Sequence, residues 1–309
     1  MNISVIINQL LLLFLIIFLG YILQKASIMT ESFNKQLTKL ILQVTMPALI
    51  LSSVLDESAT LSGHTILITF AVAILMYLLL PPAAFVINFL MRTPKEQTGI
   101  YAFSATYGNV GFMGFPLISA ILGPQAVLLT AIFNIVFNLS AFTIGVLLIC
   151  RGSGRRESLS FKKLLSPGIL LSVLAIIIYL THLRLPEMLC KFTETIGSLT
   201  SPLAMLLIGA TMATMPAREM LSEMRVYLFL VLRQILLPLL CWPLMKLLIT
   251  DPLLLTVAFI MLIVPVANTS VLFATNYDLD TKLAAKCVFL TTLFCIVTIP
   301  FLLMACLGI

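Results

Sequence analysis

Apolar runs of roughly 20 residues recur along the whole chain, separated by short polar stretches, and they do not alternate every second residue as membrane β-strands do. Wound as α-helix, each run matches the hydrocarbon thickness of a bilayer. The pattern predicts ten spans, at about residues 3–23, 36–55, 65–90, 98–121, 125–149, 167–183, 195–215, 226–249, 253–276 and 284–307. The fold class expected is therefore an all-α polytopic membrane protein. The longest connection, 151–166, opens Arg151-Gly-Ser-Gly-Arg-Arg-Glu-Ser and reads as a flexible basic loop, so no soluble domain is expected. The first span follows Met1 with no basic leader and no small-x-small cleavage site, and is expected to remain as a span.

Two spans carry their own interruption. The fourth lies within 54 residues, Gln97 to Cys150, that hold no Asp, Glu, Lys, Arg or His, yet its middle contains Gly108, Gly111, Gly114 and Pro116. Glycine weakens a helix and proline removes an amide and clashes with the preceding turn. Backbone groups freed in hydrocarbon are tolerated only where they line a cavity or are buried in protein. The ninth span carries Pro265 followed by Asn268, Thr269 and Ser270. Those side chains either repair the kink or serve a ligand. Broken spans of this kind build substrate sites near the midplane in many secondary transporters.

The interruptions fall in matching places of two halves. Pro47 and Pro202, both read as structural kinks in the second span of a half, are 155 residues apart. Pro81 and Pro238 are 157 apart in third spans, and Asn109 and Asn268 are 159 apart in fourth spans. Five spans per half is an odd number, so the halves run in opposite directions. The expectation is two inverted five-helix repeats, 1–150 and 167–309, joined by a basic cytoplasmic loop at 151–166. Helices 4 and 9 then cross at their breaks, with half-helix amide ends offering partial positive charge and free N–H groups to an anion.

Composition and charge sharpen this picture. The chain is 61% hydrophobic and 10% charged, against about 25% charged in soluble domains. Its net charge of +6 is explained by topology rather than by nucleic acid. With ten spans, fifteen of the eighteen basic residues fall on the loops and flanks of one side, and only Arg184, Lys191 and Lys246 on the other. The positive-inside rule then puts both termini outside the cytoplasm of a plasma or inner membrane. In that count Arg218, Arg225 and Arg233 are cytoplasmic flanks, and no Lys or Arg is placed at a span centre. The six cysteines form no Cys-x-x-Cys and read as structural thiols.

At this point a family becomes recognisable. Asn109-Val-Gly-Phe-Met-Gly-Phe-Pro-Leu resembles the Asn-x₃-Met-Gly-x-Pro-Leu segment of the auxin efflux carrier family, which includes plant PIN-type carriers and bacterial permeases. Pro265 to Asp280, then Thr291-Thr292 and Thr298-Ile-Pro300, resembles its ninth and tenth helices, and Met46-Pro47-Ala48-Leu49 its second. The short central loop makes bacterial permeases the nearer comparison. The resemblance implies a scaffold of spans 1, 2, 6 and 7 and a mobile, elevator-like transport domain of spans 3–5 and 8–10. It implies Asn109 as the contact for a substrate carboxylate and an amide on the fifth helix, where Asn134 and Asn138 both stand. The role of Asn268 rests on the half-helix argument instead. Pairing of two copies through the scaffold helices is a further expectation.

The acidic residues all fall at or beyond span ends, so an intramembrane proton-loading carboxylate is not expected. No zinc-protease, aspartyl-protease or diphosphate-binding pattern is legible, and no catalytic residue, metal or cofactor is assigned. The function expected is export of a small organic anion by alternating access, driven by membrane potential. Sodium-coupled uptake, with Na⁺ held by oxygens of Thr, Ser, Asn and unwound backbone, is the alternative, and a receptor on a transporter fold the alternative of a different class. The substrate-contacting set expected is Asn109, Gly111, Gly114, Pro116, Asn134, Asn138, Pro265, Asn268, Thr269 and Ser270.

Overall fold

Helix is the one regular element among the described residues, and the computed structural model describes residues 3–55, 62–152, 167–181, 186–214 and 216–307. Asp56, Glu57, His182, Arg184 and nearly all of the basic loop lie outside them. In chain order the helices are α1 (Ile3–Lys25), α2 (31–55), α3 (Gly63–Leu90), α4 (Lys95–Thr106), α5 (Val110–Leu122) and α6 (Pro124–Ile149). They continue as α7 (Pro167–Thr181), α8 (Glu187–Thr214), α9 (Met224–Leu248), α10 (Pro252–Ile263), α11 (Thr269–Asn276) and α12 (Thr281–Leu307). Five of them, α3, α6, α8, α9 and α12, are long and apolar enough to cross a membrane, and α5, α10 and Leu11–Lys25 are shorter apolar helices. Their outer faces expose Leu15, Phe18, Leu67, Phe89, Leu240 and Val297, side chains suited to lipid rather than water. The fourth and ninth apolar runs each appear as two helices, α4 with α5 and α10 with α11.

Helix α8 starts at Glu187, ahead of the apolar run at about 195. Pro186 occupies its N-cap, where its missing amide costs nothing, and a Lys191–Glu187 pair at 2.6 Å supports the polar first turn. Proline also shapes helix interiors. A π-turn, Ile41–Thr45, ends two residues before Pro47 in α2, and another, Val231–Leu236, ends two residues before Pro238 in α9. A proline offers no hydrogen to the carbonyl four residues earlier, and the wider turn absorbs that mismatch.

The chain divides into two units, each drawn from both halves of the sequence. The first comprises Met1–Phe70, Gly111–Ile135 and Leu165–Met215. Within it α1 lies along the second part of α8, and Met46–Leu55 packs on α7 and on the first part of α8. Ile66, Leu128, Ile132, Ile135 and Ile176 form a buried aliphatic cluster with Phe70 against it. The second unit comprises Ala71–Val110, Val136–Leu164 and Pro216–Ile309. Here α12 is the central rod, packed against α4, α9, α10 and α11. Acidic residues close helix ends in this unit: Asp251 accepts from Leu253 and Leu254 N–H, and Asp280 from Leu283 N–H.

Contact between α1 and α8 depends on two glycines. A Cβ on Gly209 would stand 1.8 Å from the Ile17 carbonyl oxygen, and one on Gly20 would stand 2.2 Å from that of Leu206. Helices in lipid gain their association from such close approach. Gly209→Leu is expected to force the pair apart and cost roughly 1–3 kcal/mol, read as a lowered thermal midpoint in detergent. An unchanged midpoint would show that the two backbones do not meet there.

Candidate functional site

Helix α4 ends at Thr106, with Tyr107 extended at φ −108° and ψ 106°. Helix α10 ends at Ile263, because the residue before a proline is driven out of the helical region; Val264 has ψ 147°. The two interrupted stretches, around Gly108 and Val266, pair antiparallel. Asn109 N–H donates to the Pro265 carbonyl at 2.7 Å, and Ala267 N–H donates to the Tyr107 carbonyl at 3.0 Å. Between them, Val266 N–H donates to Thr291 Oγ1 on α12 at 3.0 Å. Each interruption thus repairs the other. The amides of Asn109, Val266 and Ala267, at the interruptions where free N–H groups are expected, are therefore engaged inside the protein. Leaving them unpaired in an apolar surrounding would cost about 1–3 kcal/mol each.

Three groups hold this pairing in place. The Tyr107 ring packs against Phe103, Tyr77 and Phe137, and its hydroxyl bonds Ser140 Oγ at 2.8 Å. Gly108 admits the close approach: a Cβ there would lie 2.8 Å from Val264 Cγ2 and 3.1 Å from Arg233 Nη2. The third group is the side-chain pair Arg233 and Gln234. Both are buried within the π-turn of α9, since the wider turn turns two consecutive side chains inward. Arg233 Nη1 donates to the Val264 carbonyl at 2.5 Å. Gln234 Nε2 donates to the Thr291 carbonyl at 3.1 Å and to Thr298 Oγ1 at 2.8 Å.

Arg233 overturns the expectation that no Lys or Arg sits at a span centre. It is 2% exposed and nine residues into α9, about 14 Å from the start of that helix. Its count as a cytoplasmic flank fails because apolar residues on both sides, Val231-Leu232 and Ile235-Leu236, continue the span past it. The available signal was an Arg-Gln pair inside an apolar run, five and four residues ahead of Pro238.

The predicted site residues separate as follows. Asn109, Asn138, Pro265, Asn268, Thr269 and Ser270 belong to the second unit; Gly111, Gly114, Pro116 and Asn134 belong to the first. Asn109 and Asn134 are buried and Asn138 half-buried. Pro116 is not the residue that breaks the fourth run. It lies inside α5 just past the π-turn Val110–Gly114, which absorbs its missing amide as the π-turns before Pro47 and Pro238 do, and the interruption is centred on Gly108 instead. Gly111 and Gly114 lie in a π-turn, Val110–Gly114.

The polar residues after Pro265 do not perform the repair. The Ser270 hydroxyl and the Thr269 hydroxyl are covered and find no partner in the protein, and Asn268 gives no side-chain cap to α11. These two buried hydroxyls therefore lie beside the paired interruptions without taking part in the pairing, and a buried polar group left so is costly. Among the described residues no three His, Cys, Asp or Glu side chains converge as a metal site would require. An apolar groove lined by Val72, Met76, Leu79, Cys241, Leu244 and Leu262 offers an anion nothing to bond.

Comparison with known proteins reaches the whole of this arrangement. A family described as Membrane transport protein matches residues 5–303. An uncharacterized transporter of Methanocaldococcus jannaschii is 24% identical over 301 residues, covering 94% of this chain and 95% of that protein. An uncharacterized transporter of Methanothermobacter thermautotrophicus is 23% identical over 286 residues, covering 92% and 93%.

The repair makes a direct prediction at Thr291. Thr291→Val keeps the shape but removes the acceptor for Val266 N–H, and should cost about 1–3 kcal/mol in thermal or denaturant stability. Thr291→Ser, which keeps the acceptor, should recover most of it. Equal losses from both variants would show that packing by the methyl group, not the amide bond, holds the interruption.

Proposed function

The chain belongs to the auxin efflux carrier family of membrane transport proteins, and we propose that it moves small organic carboxylate anions across the membrane by alternating access. One observation carries the reading. The two helix interruptions satisfy each other's backbone, yet Thr269 and Ser270 bring buried hydroxyls to the same place with no partner. Such donors suit a substrate carboxylate, and Asn109 adds a side-chain amide beside the bridged residue. A neutral donor set also releases its ligand more readily than a bidentate ion pair would.

In the proposed cycle the ten spans form two inverted five-helix repeats with both termini outside the cytoplasm. The anion enters from the cytoplasm and settles at the crossing of the broken helices. A transport domain then shifts against a scaffold and opens the crossing to the other side. Export of a monoanion down an inside-negative potential of 100 mV gains about 2.3 kcal/mol. The orphan oxygens of Thr269 and Ser270 also favour a second reading, in which they ligate Na⁺ and the protein is a sodium-coupled importer.

The test is transport in proteoliposomes, with acetate, benzoate and malate, each with and without Na⁺ and an imposed potential. Anion flux that follows potential and ignores Na⁺ is expected; strict dependence on external Na⁺ would establish the second reading. Asn109→Asp should abolish flux by repulsion, whereas Asn109→Ala should assemble normally, having lost roughly 1 kcal/mol of stability, and transport weakly. Wild-type flux in Asn109→Asp, together with aggregation of Asn109→Ala, would make Asn109 a structural residue and move the substrate elsewhere.

A further inference from the structure

A buried guanidinium inside a membrane helix is costly, and the chain retains one. No ion pair among the described residues includes Arg233; the charged pairs are Lys35–Glu31, Lys191–Glu187, Lys282–Glu219 and Lys286–Glu223. Its ionisable neighbour is the Tyr77 phenol. What it does meet is backbone. Nη1 bonds the carbonyl of Val264, the residue that follows α10, and Nη2 lies beside Gly108, two residues past the end of α4. The carbonyl end of α10 is thus bonded by the cation, and the carbonyl end of α4 comes close to it. Each such end carries about half a negative charge, so together they match the single positive charge of Arg233. Its Nε remains buried with no partner.

The geometry points to Arg233 as the residue that sets the sign of the charge this crossing accepts. Without it, the carbonyl ends of α4 and α10 offset the amide ends of the half-helices that resume at Val110 and Thr269, and the place has no net preference. With it, the carbonyl ends are neutralised and the dipoles of the resumed helices, whose first amides bond the Gly108, Ala267 and Asn268 carbonyls, leave a net positive potential beside Asn268, Thr269 and Ser270. An anion is drawn in and a cation, Na⁺ included, is kept out. This rests on the reading of the crossing as the substrate site. Arg233 is then a specificity-determining and positioning residue that acts through the field, with no contact to substrate required.

Paired thiol reagents of opposite charge read that field without knowledge of the substrate. Thr269→Cys is introduced after replacement of the six native cysteines, and its rates with sulfonatoethyl and trimethylammonioethyl methanethiosulfonate are compared with those of free mercaptoethanol. The anionic reagent should be favoured. Arg233→Gln should lower the anion-to-cation rate ratio about tenfold or more, as loss of a nearby unit charge implies for two reagents of opposite sign, and Arg233→Lys should hold it within about threefold. A ratio unchanged by Arg233→Gln overturns the assignment and leaves the substrate site standing. Preference for the cationic reagent with Arg233 in place overturns it even if Arg233→Gln does not assemble. No reaction with either reagent from either side of the membrane removes the substrate-site reading itself, and the sign filter with it.

Discussion

Hydrocarbon offers a broken helix no water, so every amide and carbonyl released at a break must find a partner inside the protein. That constraint organises this molecule. Here the released groups of one interruption are the partners of the other, through Asn109 N–H to Pro265 and Ala267 N–H to Tyr107. Neither half of the pairing is tolerable alone. The exceptions are met by neighbours chosen for geometry: Thr291 for the Val266 amide and Arg233 for the Val264 carbonyl. Because the two interruptions pair with each other, the Thr269 and Ser270 hydroxyls take no part in the repair, and in the proposed cycle they serve the substrate.

Proline acts here twice and differently. Pro265 ends α10 by forcing Val264 out of the helical region. Pro238 leaves its helix continuous but is preceded by the π-turn that turns Arg233 and Gln234 inward together. Arg233 then reaches the bridge directly, and Gln234 reaches it through Thr291, whose hydroxyl holds Val266 while its carbonyl accepts from Gln234. A missing backbone hydrogen in one helix thus places the cation that braces the interruption in another.

Much of this was legible from residue order. The two interruptions, Pro265 as a breaker, Asn109 beside the first interruption, and a membrane chain of the auxin efflux carrier family all follow from apolar runs punctuated by Gly and Pro. The centre of the first interruption was displaced: Pro116 looks like the breaker in a string, but the π-turn Val110–Gly114 ahead of it keeps the helix continuous. Arg233 was hidden because a charge near the cytoplasmic end of a run is ordinarily a topology signal, and only the π-turn reveals that it faces inward. The loss of free amides at the bridge was not legible at all, since which strand-like residues meet across 156 to 160 residues of sequence depends on packing.

The central claim is that the paired interruptions meet deep in the bilayer and form the anion site there. Its most direct test is the depth of the Gly108–Val266 bridge, measured in a cryo-electron-microscopy map of the protein in lipid nanodiscs, where both headgroup layers are visible as density. The account predicts the bridge within about one helical turn, roughly 5 Å, of the midplane, with Arg233 density joined to the Val264 carbonyl. A bridge at headgroup depth, where water would satisfy the released backbone and no mutual repair would be needed, contradicts it.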